Sequence, residues 1–234
     1  MTARDEQQPG RVILGGSFNP PHVGHLRLAV EAREALGHLV QGVDLVPCAQ
    51  PPHKKTGNLL PFELRAAMLE AALAPLPQLR CNRLEALRDG PSYTWDTLQT
   101  YHATEPGTDF YFLLGSPDFA LLPTWQRGLE LPRLCHFVVV PRGDLTSEEF
   151  TDMTRALWPT AREHPSALPG GVCLALPGGG LTYFLPLPWL AVSASRIREL
   201  WLAGRSVDYL VPESALNLLQ THRQIIAAHW RETR

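Results

Sequence analysis

No stretch of this 234-residue chain is apolar for long enough to span a bilayer. Residues 1–10 lack the apolar centre of a secretory signal. The four cysteines, Cys48, Cys81, Cys135 and Cys173, form no C-x-x-C pair. That argues against a disulfide framework and a structural zinc site, and predicts reduced, mostly buried thiols in a cytoplasmic protein. A surplus of positive charge is missing as well. Twenty-one Lys and Arg against 23 Asp and Glu leave a net charge of -2, which removes the whole-protein electrostatic case for binding nucleic acid. There is no internal repeat and no low-complexity segment. No G-x-G-x-x-G turn is present, which argues against an ordinary dinucleotide-dependent dehydrogenase. Proline is plentiful, at 22 residues, and falls mainly between the periodic segments, where it predicts rigid connecting loops.

The length predicts one α/β domain, or one with a small extension. Residues 1–10 read as a flexible tail, 11–190 as the α/β core and 191–234 as a C-terminal helical part. Apolar runs predict strands at 11–14, 42–46, 110–114, 137–140 and 181–187. Helical spacing predicts helices at 23–36, 62–73, 93–102, 147–158, 194–203, 213–220 and 223–230, with Ser92 and Ser193 as N-caps. The Pro/Gly-rich remainder of 144–180 predicts loop. Strands alternating with helices predict a doubly wound, Rossmann-like parallel sheet covered on both faces. Ligands of such sheets lie beyond the C-terminal strand ends. The loops opening at Gly15, Pro47, Gly115 and Pro141 all follow strands, so the four are expected at one edge.

The stretch Gly15-Gly16-Ser17-Phe18-Asn19-Pro20-Pro21-His22-Val23-Gly24-His25 joins the first strand to the first helix. Such a turn aims backbone N–H groups and the positive end of a helix dipole at one spot, which suits a phosphate. Gly16 and Gly24 let backbone approach closely. His22 and His25 can donate to charge building up on phosphate oxygens. A lone H-x-x-H is more often a pair of turn histidines at a helix start, and a zinc reading needs further ligands, with His53 the nearest in sequence. Near the other end, Ser193, Ser195 and Arg198 gather at a helix start. Alone they would be a cap and a solvated cation. With the first motif they read as a β/γ-phosphate site.

His22-Val23-Gly24-His25 resembles the core signature of the H-x-G-H nucleotidyltransferase superfamily. Val192-Ser193-Ala194-Ser195-Arg196-Ile197-Arg198 looks like its second signature, usually Ile-Ser-x-Thr-x-x-Arg, with Ser195 keeping the hydroxyl. Four intermediate segments make the chain similar to the bacterial nicotinate-nucleotide adenylyltransferases: Pro51-Pro52-His53-Lys54; Pro91-Ser92-Tyr93-Thr94 with Asp96-Thr97-Leu98; Gly115 with Pro123-Thr124-Trp125; and Val140-Pro141-Arg142. The likeness covers most of 12–219 and is weakest over 144–180.

The resemblance implies adenylyl transfer from ATP to nicotinate mononucleotide, with His22, His25 and Arg198 catalytic. It implies ATP contacts at Gly15, Gly16, Ser17, Phe18, Gly24, Gly115, Asp118, Ser193 and Ser195. Contacts to the mononucleotide are implied at Asn19, Lys54, Tyr93, Thr94, Trp125 and Arg142. Trp125 would stack on the pyridine ring. Backbone N–H groups near Tyr93, Thr94 and Gln126 would receive the carboxylate, and Arg142 or Lys54 the phosphate. Arg65, on a helix the family shares, is expected to be structural. Mg²⁺ would come with ATP, held by substrate oxygens and water, with no metal-ligand set on the protein. One departure stands out. The family's Gly-x-Asp reads Gly115-Ser116-Pro117 here, so either Asp118 substitutes from one residue on, or the contact is lost.

Two rivals remain open: a relative using nicotinamide mononucleotide or phosphopantetheine, and a nucleotide-binding module without turnover. Trp125 with Tyr93 and Thr94 argues for a pyridine carboxylate, and both histidines with Arg198 argue for turnover. The expected partners are ATP and nicotinate mononucleotide, not nucleic acid or membrane; a homo-oligomer is compatible with the sequence.

Overall fold

A strand covered on both faces must be apolar throughout, and the two most apolar runs of the chain lie in the middle of the sheet. The computed structural model describes residues 9–52, 56–168, 170–187 and 190–231. Its strands are β1 (Gly10–Gly16), β2 (Val40–Pro47), β3 (Leu79–Cys81), β4 (Phe110–Gly115), β5 (His136–Val140), β6 (Arg162–His164), β7 (Cys173–Ala175) and β8 (Leu181–Phe184). They form one sheet in the order β3-β2-β1-β4-β5-β8-β7-β6. Strands β1 and β4, β4 and β5, and β5 and β8 pair in parallel, with Ile13 opposite Phe112, Leu113 opposite Val138 and Val138 opposite Tyr183. The β6–β7 and β7–β8 pairs are antiparallel. The strand order runs outward both ways from β1 and β4, which is the doubly wound, Rossmann-like arrangement.

The helices are α1 (Val23–Leu36), α2 (Phe62–Leu73), α3 (Thr94–Thr104), α4 (Ser116–Ala120), α5 (Ser147–Leu157), α6 (Ala194–Leu202), α7 (Glu213–Thr221) and α8 (Arg223–Arg231). Among the described residues, no helix is long and apolar enough to cross a membrane. The bounds of α1 and α2 are those the sequence predicts. Three corrections concern the rest. The hairpin β6–β7 replaces part of the loop predicted over 144–180. Strand β3 and helix α4 were not predicted. All three residues of β6 are exposed and only Leu79 of β3 is buried, so neither carries a periodic signal. Ser92 does not cap α3: Tyr93 holds that position without a side-chain bond, while the Ser92 hydroxyl accepts the N–H groups of Ala49 and Gln50 at 3.1 and 3.0 Å. Ser193 does cap α6, accepting from the Arg196 N–H. The tail predicted over 1–10 lies, up to residue 8, outside the described residues, and Gly10 already belongs to β1.

Contacts group the described residues into two units, one falling within 1–14, 31–43 and 93–189, the other within 15–30, 44–92 and 190–234. In the first, Phe119, Phe137, Phe150, Trp158 and Phe184 build an aromatic core of edge, tilted and stacked contacts. In the second, α2 packs on α7 and α6 on α8, with Met68, Ile197, Leu219, Ile226 and Trp230 buried together.

Candidate active site

The turn 15–25 belongs to the second unit, and its two histidines are brought face to face. Their rings stack with centroids 3.6 Å apart. His22 is 6 % exposed and His25 is half-buried. The His25 Nδ1 accepts the backbone N–H of His22 at 3.2 Å. An accepting Nδ1 leaves the proton of the neutral ring on Nε2, so that atom is the donor His25 can offer. The ring of Phe18 packs edge-on against His25, 4.8 Å between centroids. Two glycines make room for these rings: a Cβ at Gly24 would lie 3.0 Å from the His22 Nδ1, and one at Gly16 would lie 3.2 Å from the Phe18 ring. Phe18 itself has a left-handed backbone, φ 45°, a conformation that costs a bulky residue about 1 kcal/mol.

Arg65 fixes the turn from below. It is almost fully buried and donates to the carbonyls of Ser17, Cys48 and Leu60 at 2.7, 2.8 and 2.9 Å. Burial pulls its pKa down, and the charges of Cys48 and Glu85 oppose the shift. The first N–H of α1, from Val23, is taken by the Leu210 carbonyl at 3.0 Å. That group is therefore committed within the protein, and the sequence held no sign of it.

The second signature reaches the first within the same unit. Arg198 donates through Nη1 to the Asn19 carbonyl at 2.8 Å and through Nη2 to the Ser195 hydroxyl at 3.1 Å. Burial lowers the Arg198 pKa, partly offset by Glu199, yet a guanidinium stays charged at any working pH. Ser195 and Ser193 are exposed, and the Ser193 oxygen already accepts the Arg196 N–H at 3.3 Å.

In the first unit, Tyr93 precedes α3 and Thr94 begins it, both half-buried. Trp125 is half-buried, its ring perpendicular to that of Phe112 at 6.2 Å. Gly115 ends β4, and a Cβ there would make only ordinary contact with the Arg142 Nε, 3.4 Å away. The Arg142 N–H donates to the buried Ser116 hydroxyl at 3.0 Å. Asp118 is exposed in the first turn of α4.

Two of the expected contact residues have buried side chains. Asn19 is buried, and its amide is committed to protein. Nδ2 donates to the Asn58 carbonyl at 2.8 Å, while Oδ1 accepts from the Leu60 N–H and the Trp230 Nε1 at 3.2 and 3.4 Å. Its side chain ties loops together. Phe18 is 1 % exposed, and its ring packs against His25. Lys54, with His53 and Lys55, lies outside the described residues. Among the described residues no group of three or more His, Cys, Asp or Glu side chains could hold a metal ion.

A glycine-rich strand-to-helix turn with paired imidazoles, tied to an arginine on a distant helix, defines a nucleotidyltransferase of the Rossmann-like kind. The chain belongs to the cytidylyltransferase-like family, whose family model matches residues 13–200. Within it, a Pseudomonas aeruginosa protein named probable nicotinate-nucleotide adenylyltransferase is 39 % identical over 218 residues, 93 % of this chain and 97 % of that one. A Pseudomonas syringae protein of the same name is 40 % identical over 216 residues, 92 % and 93 % of the two chains. Among solved structures, Plasmodium falciparum nicotinic acid mononucleotide adenylyltransferase complexed with NaAD is similar in fold. Its TM-score is 0.69 at 19 % identity, covering 93 % of this chain and 98 % of that one.

Proposed function

We propose that this chain transfers the adenylyl group of ATP to nicotinate mononucleotide, giving nicotinate adenine dinucleotide and pyrophosphate in NAD biosynthesis. The observation that carries the site is the 2.8 Å bond from Arg198 to the Asn19 carbonyl, because it joins the two signatures into one cluster. The choice of substrates is supported by the 39 % identity to the Pseudomonas aeruginosa protein over nearly all of both chains.

A phosphate oxygen of the mononucleotide attacks the α-phosphorus of ATP. A new P–O bond forms as the bond to the bridging oxygen breaks, and pyrophosphate leaves with that electron pair. The nucleophile is already an anion, so no general base is needed, and catalysis rests on alignment and charge stabilisation. His22 and His25 donate to the transferring phosphate, His25 through Nε2. Arg198 with Ser195 and Ser193 receives the β- and γ-phosphates. Magnesium enters with ATP as part of the substrate, held by triphosphate oxygens and water. Trp125 offers its face to the pyridine ring, N–H groups near Tyr93, Thr94 and Gln126 take the carboxylate, and Arg142 takes the mononucleotide phosphate.

A coupled assay tests this reading: purified protein, ATP, Mg²⁺ and nicotinate mononucleotide release pyrophosphate, and nicotinamide mononucleotide or phosphopantetheine in its place releases far less. No release with any of the three sinks it.

A further inference from the structure

No step above uses Arg127, yet it is tightly held in its loop. Its backbone is left-handed, φ 53°. The next residue must be glycine, because a Cβ on Gly128 would lie 1.9 Å from the Leu122 carbonyl oxygen. The Arg127 guanidinium sits 3.7 Å from the centroid of the Trp95 ring. Its Nε and Nη2 donate to the two carboxylate oxygens of Glu130 at 3.1 and 2.7 Å. Trp95 is buried and is the second residue of α3, directly after Tyr93 and Thr94. One side chain thus fastens the loop that carries Trp125 and Gln126 to the start of α3.

We infer that Arg127, stacked on Trp95, is a positioning residue that sets the preference for an acid over an amide mononucleotide. The inference rests on the reading of Tyr93, Thr94, Trp125 and Gln126 as the seat of the pyridine carboxylate. A set of N–H donors satisfies a carboxylate but confronts the NH₂ of a carboxamide, which leaves buried donors unpaired. That discrimination lasts only while the donors from the two segments keep their spacing. A planar guanidinium on an indole face holds such a spacing better than a flexible contact can. The Glu130 carboxylate offsets the charge of Arg127, so its service is geometric and not a direct pull on the substrate.

Steady-state kinetics on the full chain test it, with Arg127→Ala, Arg127→Lys, Trp95→Phe, Trp95→Leu and the Arg127→Ala/Trp95→Leu pair. Arg127→Ala is expected to raise KM for nicotinate mononucleotide by about two- to fivefold, the worth of one cation–π contact near the surface. The kcat and the KM for ATP stay within about twofold. The preference for nicotinate over nicotinamide mononucleotide narrows, and Arg127→Lys and Trp95→Phe recover much of it. The double variant is no worse than its worse single, since both remove one contact. If Trp95→Leu fails to fold, the KM values of Arg127→Ala and Arg127→Lys for the two mononucleotides carry the test without the cycle. An unchanged KM for nicotinate mononucleotide in Arg127→Ala, equal losses toward both substrates, or additive losses in the double variant overturns the inference. A wild-type protein that releases no pyrophosphate overturns the underlying reading, and the inference with it.

Discussion

The proposed role of the stacked pair His22 and His25 is that of donors, and that role fixes what substitutions should do. His22→Ala and His25→Ala are each expected to lower kcat by about one to three orders of magnitude, as loss of a preorganised donor does. Wild-type turnover in both variants would show that the imidazoles are not the charge-stabilising groups. Gly24→Ala should resemble them, because its methyl would crowd the His22 ring, whose Nδ1 would be 3.0 Å away. Arg65→Met tests the support beneath them. It strands the buried carbonyl of Leu60 and the partly buried carbonyls of Ser17 and Cys48, and should cost about 3 kcal/mol in urea unfolding. At this scale the sequence marked the donors but not their surroundings. That Asn19 is a buried tie, that Phe18 props His25 and that Leu210 takes the Val23 N–H all depend on partners brought from far along the chain.

Among the elements, the long ones were legible and the shortest were not. Helices α1 and α2 have the predicted bounds because Gly37 stops the first and the Pro61 turn starts the second. Strand β6 has no buried residue and takes its conformation from pairing with β7, which no local pattern records. Helix α5 starts at a capping box of Thr146 and Glu149, and Thr146→Ala should lower thermal stability by about 1 kcal/mol. The edge between β5 and β8 carries a pH dependence. The His136 Nδ1 accepts the Leu181 N–H at 3.0 Å, and burial lowers its pKa below the ordinary 6.5, with Asp109 opposing. In the unfolded chain this ring takes a proton that the folded chain refuses. Its contribution is therefore present above the ordinary value and is lost as pH falls below it. Urea midpoints should drop more between neutral and mildly acid pH in the wild type than in His136→Gln, and parallel curves would contradict this.

For the whole molecule, the parallel core of the sheet followed from alternating strand and helix signals, and the antiparallel β6–β7 extension did not. The site was legible as two signatures about 170 residues apart, and the Arg198 bond to Asn19 joins them in one unit. The Arg127–Trp95 clasp was not legible, because neither residue belongs to a signature and only folding stacks them. The central claim is the transfer itself. It is tested most directly by incubating the protein with Mg²⁺, nicotinate mononucleotide and ATP labelled at the α-phosphorus, and following the label. The account predicts that the label appears in the dinucleotide and none of it in pyrophosphate. Label that stays in ATP, or that appears only as free AMP, would contradict it.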